Sequence, residues 1–141
     1  MSGTGRAEPE PRESMTIERT TPHPDRATRH PDEFLPLTPV AFDILLSLLD
    51  GERHGYAIMQ AVEARSGGRT SLHAGTLYRA LSRLLTSGLI EELAEAPRPE
   101  ADERRRYYRV TEQGRRVASA EARRLERQVG AARAHGLLGR A

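Results

Sequence analysis

The stretch Gly75-Thr76-Leu77-Tyr78-Arg79-Ala80-Leu81-Ser82-Arg83-Leu84-Leu85-Thr86, followed by Ser87-Gly88, decides the fold of this chain. Leu77, Leu81, Leu84 and Leu85 recur at helical spacing and make one apolar face. Opposite them, Thr76, Arg79, Ser82, Arg83 and Thr86 form an outward stripe at steps of three and four. Gly88 breaks the pattern, so the spacing predicts a helix over residues 75–87. One of its faces docks on a core and the other meets something polar.

Upstream of it, Thr38-Pro39 pairs a hydroxyl cap with a proline at the first helical position. Val40, Ala41, Ile44, Leu45, Leu48 and Leu49 then fall on one face, and Gly51 stops that helix. A short link, Glu52-Arg53-His54, leads to a second helix over residues 55–65, whose apolar residues are Tyr56, Ile58, Met59, Ala61 and Val62. Gly67-Gly68 ends it, and residues 69–72 have the pattern of a minimal strand. Downstream, residues 89–93 and 106–110 read as two short strands around an acidic, proline-containing loop over 94–103. Thr111 caps a long last helix reaching about Ala134. The order is three helices, a hairpin and a helix. That is a mainly α fold with a small β-hairpin: a winged helix-turn-helix plus a C-terminal helix.

With 141 residues the chain holds one compact domain and a tail. Residues 1–33 are rich in Pro, Arg, Glu and Thr and nearly devoid of apolar side chains, so they read as a disordered N-terminal tail. Residues 34–110 are the expected winged-helix DNA-binding domain and 111–141 the expected dimerisation helix. There is no cysteine, which removes disulfides, thiol nucleophiles and Cys-ligated zinc together. Neither a membrane-length apolar run nor the apolar core of a signal peptide is present, so the expected location is cytoplasmic.

The net charge of +2 is unremarkable, but its distribution is informative. From Ala64 to Ile90 the charged residues are Arg65, Arg69, Arg79 and Arg83, without one Asp or Glu. A major groove admits a single helix, which needs an apolar face for the core and a polar one for base edges and phosphates. The helix at 75–87 has both. Thr76, Arg79, Ser82 and Arg83 are therefore the expected DNA contacts. The alternatives are an ordinary amphipathic surface helix, or a winged helix used for protein–protein contact without DNA.

The segment Gly75 to Leu84 resembles the recognition helix of PadR-like transcriptional regulators. Two further segments are similar to that family: Leu37-Thr38 through Gly51 with His54-Gly55-Tyr56-Ala57-Ile58, and Arg106-Tyr107-Tyr108-Arg109-Val110-Thr111-Glu112-Gln113-Gly114. Ala74 departs from the pattern, since such proteins often carry proline before the glycine. The resemblance implies a homodimeric winged-helix repressor on a roughly palindromic operator of double-stranded DNA. It also implies a small-molecule effector bound near the dimer interface. It implies no cofactor.

Tyr78 either packs against the wing or offers its hydroxyl to a phosphate, and Tyr56 at the start of the second helix has the same choice. Of the adjacent strand residues Tyr107 and Tyr108, alternation predicts that only one faces inward. Arg104, Arg105 and Arg106 stand where a strand leaves the wing loop, placed to follow a DNA backbone. The wing tip should stay out of the groove, because residues 91–103 carry Glu91, Glu92, Glu95, Glu100, Asp102 and Glu103 against a single Arg98. In the last helix Ala118, Ala122, Leu125, Val129 and Ala132 repeat at four, three, four and three, a heptad seam suited to a partner helix; the alternative is that it packs on its own domain. Catalysis has no support. The five histidines are scattered without ligand spacing, and His54 and His73 read as caps or turn residues.

Overall fold

The computed structural model describes residues 29–99, 101–102 and 104–139. A 3-10 turn at Pro31–Phe34 precedes α1 (Pro39–Leu48), β1 (Arg53–His54), α2 (Gly55–Arg65), α3 (Ala74–Thr86), β2 (Ile90–Glu92), β3 (Tyr107–Val110) and α4 (Glu112–Ala134). The caps work as the sequence demands. Thr38 Oγ1 accepts from the Ala41 amide at 3.1 Å, and Thr111 Oγ1 accepts from the Gly114 amide at 3.0 Å. The Thr111 hydroxyl also donates to the Gly88 carbonyl at 2.7 Å, tying the exit of α3 to the start of α4. Gly88 makes that turn at φ 78, a left-handed conformation that favours glycine.

The core lies where α1, α2 and α3 meet the sheet and the first half of α4. Ile44, Leu45, Ile58, Leu77, Leu81 and Val117 are all essentially sealed from solvent. Each such side chain contributes about 1.5–3 kcal/mol by leaving water, so the leucine face of α3 anchors that helix firmly. Gly114 lets α4 approach closely: a β-carbon there would collide with the Leu89 carbonyl.

The wing has three strands in the order β1-β3-β2, both pairs antiparallel, where the sequence reading has two. The extra strand is Arg53–His54, read from sequence as a link. Two residues are too few for a periodic signal, and pairing with Tyr108 and Tyr107 makes them a strand. Residues 69–72, expected as a minimal strand, have no strand conformation. The Thr70 amide donates to Ser66 Oγ at 2.8 Å, a local bond in place of a ladder.

Order also begins earlier than Phe34. The Gln113 side chain donates to the Arg29 carbonyl at 2.7 Å, and the Arg29 guanidinium lies 4.6 Å from the centre of the Phe34 ring. The Leu37 amide donates to Glu121, which is 2% exposed and accepts from Arg124 at 2.8 Å. Hydrogen bonding from Arg124, with help from the Leu37 amide, holds the Glu121 carboxyl below its ordinary range despite burial. These polar contacts leave no trace in an apolar periodicity. The rest of the expected tail, residues 1–28, lies outside the described residues.

Candidate nucleic-acid interface

Leu77, Leu81 and Leu84 fix the roll of α3, so the opposite face points to solvent. Arg79, Ser82 and Arg83 are exposed on it, and Thr76 is half-buried. Arg79 donates only a long, 3.5 Å bond to Thr76 Oγ1. Among the described residues no carboxylate pairs with Arg79 or Arg83. Both guanidiniums are therefore available to an outside acceptor such as a guanine edge or a phosphate.

A second group of expected residues converges at the N-terminus of α2. Tyr56 in its first turn is 54% exposed, and the Arg105 guanidinium stands 6.0 Å from its ring centre. Tyr78 reaches across from α3 and sets its hydroxyl over Gly55, so close that a β-carbon at 55 would lie 2.6 Å from the oxygen. Tyr78 is nevertheless 51% exposed, so packing on Gly55, rather than on the wing loop, leaves about half of its side chain open to solvent. Two tyrosines and an arginine thus surround a helix N-terminus, a polarity that favours anions.

The wing arginines differ from those of α3, because each has a carboxylate partner. Arg104 and Arg105 pair with Asp102 at 3.3 and 3.6 Å, Arg106 with Glu92 at 3.8 Å, and Arg109 with Glu91 at 2.8 Å. Exposed pairs of this kind are worth about 0–1 kcal/mol, so they bias the side chains without locking them.

Tyr107 and Tyr108 are both buried, contrary to the expectation that one would face out. Tyr108 enters the helical core. Tyr107, on the other face of β3, is roofed by the wing loop: its hydroxyl accepts from the Asp102 amide at 3.0 Å and its ring meets His54 edge-on. Burial and the nearby Glu92 push the Tyr108 hydroxyl above its ordinary pKa, so it stays neutral.

His54 caps α2 by accepting from the Ala57 amide at 3.1 Å, and its Nδ1 also lies 3.1 Å from Arg105. The cap was legible from sequence. The partnership with Arg105, 51 residues away, was not, because it depends on the β1–β3 register. His73 stands at the start of α3 without a side-chain cap bond.

On α4, Ala118 is buried in the protomer's own core, so that position of the expected seam is already filled. Beyond it Ala122 and Val129 are exposed and Leu125 and Ala132 half-buried, leaving an apolar stripe uncovered. Among the described residues no cluster of His, Cys, Asp or Glu is arranged to hold a metal, and no helix is long and apolar enough to cross a membrane.

A leucine-docked helix with a basic, acid-free outer face, preceded by two helices and followed by a three-stranded wing, defines a winged helix-turn-helix protein. Within that class the chain belongs to the transcriptional regulator PadR-like family, whose model matches residues 44–120. That family consists of transcriptional regulators rather than enzymes. Over 87 residues the chain is 39% identical to an uncharacterized 37.1 kDa protein in transposon TN4556 of Streptomyces fradiae. The match covers 62% of this chain and 23% of that protein, so the chain spans about a quarter of that relative. Among solved structures it is similar to a transcriptional regulator from Clostridium thermocellum, at 27% identity and a TM-score of 0.56, over 65% of this chain and 84% of that one. It also shares its fold with Bacillus subtilis PadR in complex with operator DNA, at 24% identity and a TM-score of 0.50, over 60% of this chain and 47% of the other.

Proposed function

We propose that the chain is a cytoplasmic transcriptional repressor that binds a roughly palindromic DNA operator as a homodimer. The observation that carries this reading is the outer face of α3, where Arg79, Ser82 and Arg83 are exposed and unopposed by any acid on that helix. Arg83 and Arg79 are the expected base readers, Thr76 and Ser82 reach bases or phosphates, and Tyr56, Tyr78, Arg104, Arg105 and Arg106 meet the backbone. The operator complex of Bacillus subtilis PadR supports the placement of such a fold on DNA. Dimerisation proceeds through α4, along Ala122, Leu125, Val129 and Ala132, so that each protomer reads one half-site. A small-molecule effector near that interface would release the DNA.

The competing use of a winged helix, protein–protein contact without DNA, calls for an apolar or mixed-charge face on α3, which this chain lacks. Retention on random duplex at low salt, lost as salt rises, separates the two. Selection from a random duplex library, followed by footprinting near the chain's own gene, tests sequence specificity. Sedimentation of the Leu125→Asp, Val129→Asp variant tests the interface. A monomer that no longer binds tightly to the operator is expected, and an intact dimer would place the interface elsewhere.

A further inference from the structure

An open cleft of about 420 Å³ lies between the N-terminus of α2 and the wing, and His54 is part of its wall. Two donors converge on His54 Nδ1: the Ala57 amide of α2 at 3.1 Å and the Arg105 guanidinium of the wing at 3.1 Å. Both donors need an acceptor at Nδ1, which a ring unprotonated there supplies; the same guanidinium nitrogen also lies 3.5 Å from Nε2, so it sits against the ring edge between the two nitrogens. The same wing turn is pinned beside it. The Asp102 amide donates to Tyr107 Oη at 3.0 Å, the Arg105 amide donates to the Asp102 carbonyl at 3.2 Å, and the Tyr107 ring packs edge-on against His54.

We propose that His54 is a positioning residue: in its neutral form it holds Arg105, and with it the wing, beside Tyr56 where a DNA phosphate would lie. The idea rests on the DNA-binding reading above and adds a coupling between proton binding and the wing. Protonation puts a hydrogen on Nδ1, which removes the acceptor used by both α2 and Arg105 and sets two cations face to face. The groups sharing the cleft with His54 are Arg98, Asp102 and Arg105 of the wing, Tyr107 of β3, Ala57 of α2, and Glu52 and Arg53 beside it in the chain, with Tyr56 beyond Arg105. Asp102, held below the ordinary carboxylate range by hydrogen bonds from Arg104, stays charged at mildly acidic pH and attracts the protonated ring. Burial and Arg105 outweigh that attraction and lower the His54 pKa from its ordinary 6.5. A lowered pKa means that the unfolded chain takes up the proton first. The stabilising contribution is therefore present above about pH 6.5 and lost as pH falls toward the folded value.

Amide exchange at Asp102 and Arg105 in the full chain, between about pH 7.5 and 5.5 and corrected for intrinsic exchange, reads wing closure without DNA. Wild-type protection is expected to fall several-fold on acidification. His54→Asn keeps an oxygen for the Ala57 amide but has no ring to protonate, and its protection is expected to be flat with pH. Arg105→Gln is expected to show low protection at both pH values. Unchanging wild-type protection, or the same pH dependence in His54→Asn, would overturn the proposal. Affinity for a random duplex gives the second arm. It is expected to weaken on acidification in the wild type only, opposite to the gain a newly charged histidine gives a phosphate binder. Tighter wild-type binding at the lower pH would overturn the positioning role and make His54 a direct contact. Wing protection that follows pH as expected, in a chain that binds no duplex at either pH, would overturn the DNA-binding reading while the hold of His54 on Arg105 and the wing stands.

Discussion

The outer face of α3 and the wing are both rich in arginine, yet they present it differently. On α3, Arg79 and Arg83 meet no carboxylate among the described residues. On the wing, Arg104, Arg105, Arg106 and Arg109 each face Asp102, Glu92 or Glu91. A count of basic residues treats the two regions alike. A phosphate or a base does not, because it must displace an internal partner on the wing and nothing comparable on α3. The contrast favours α3 for the proposed recognition role and leaves the wing, in that proposal, the weaker and adjustable contact.

The contrast breaks most severely if α3 loses its anchor. Leu81 is 1% exposed, and Leu81→Ala should cost about 2–5 kcal/mol of stability, read by chemical denaturation. Duplex binding should weaken with it, because the roll of the helix is set by that leucine face. A smaller effect is expected on the wing side from Tyr107→Phe. It removes the acceptor of the Asp102 amide and should cost about 1 kcal/mol, with faster exchange of wing amides and no change in α3.

The smallest effect sharpens the comparison directly. Glu91→Gln with Glu92→Gln unpairs Arg109 and Arg106 and should steepen the salt dependence of random-duplex binding by about one to two units. A slope equal to that of the wild type would show that those arginines never approach DNA.

The helices were legible in the sequence for physical reasons that the structure repeats. Thr38-Pro39 and Thr111 announce caps, Gly88 a stop, and the leucines of α3 a buried face. What escaped the sequence depends on pairing across the chain. Arg53–His54 is a strand only because β3 lies beside it, and Tyr107 is buried only because the wing loop folds over it. The neutralised wing is of the same kind: Glu91 stands directly opposite Arg109, a register that composition cannot supply. Gln113 of α4 holds the Arg29 carbonyl by a hydrogen bond, and the Arg29 guanidinium lies over the neighbouring Phe34 ring, contacts to which a search for apolar spacing is blind. The candidate site was legible as a set of residues on α3 and only in outline on the wing.

The central claim is that Arg83 reads sequence from α3, and one pair of titrations tests it. Wild type and Arg83→Ala are titrated against a duplex selected by the wild-type protein and against random duplex, each at several salt concentrations. The predicted result is a loss of about 1–3 kcal/mol on the selected duplex, relaxed preference at one base position, and little change on random sequence. Equal losses on both duplexes would contradict it, making Arg83 a phosphate contact and leaving Arg79 as the base reader.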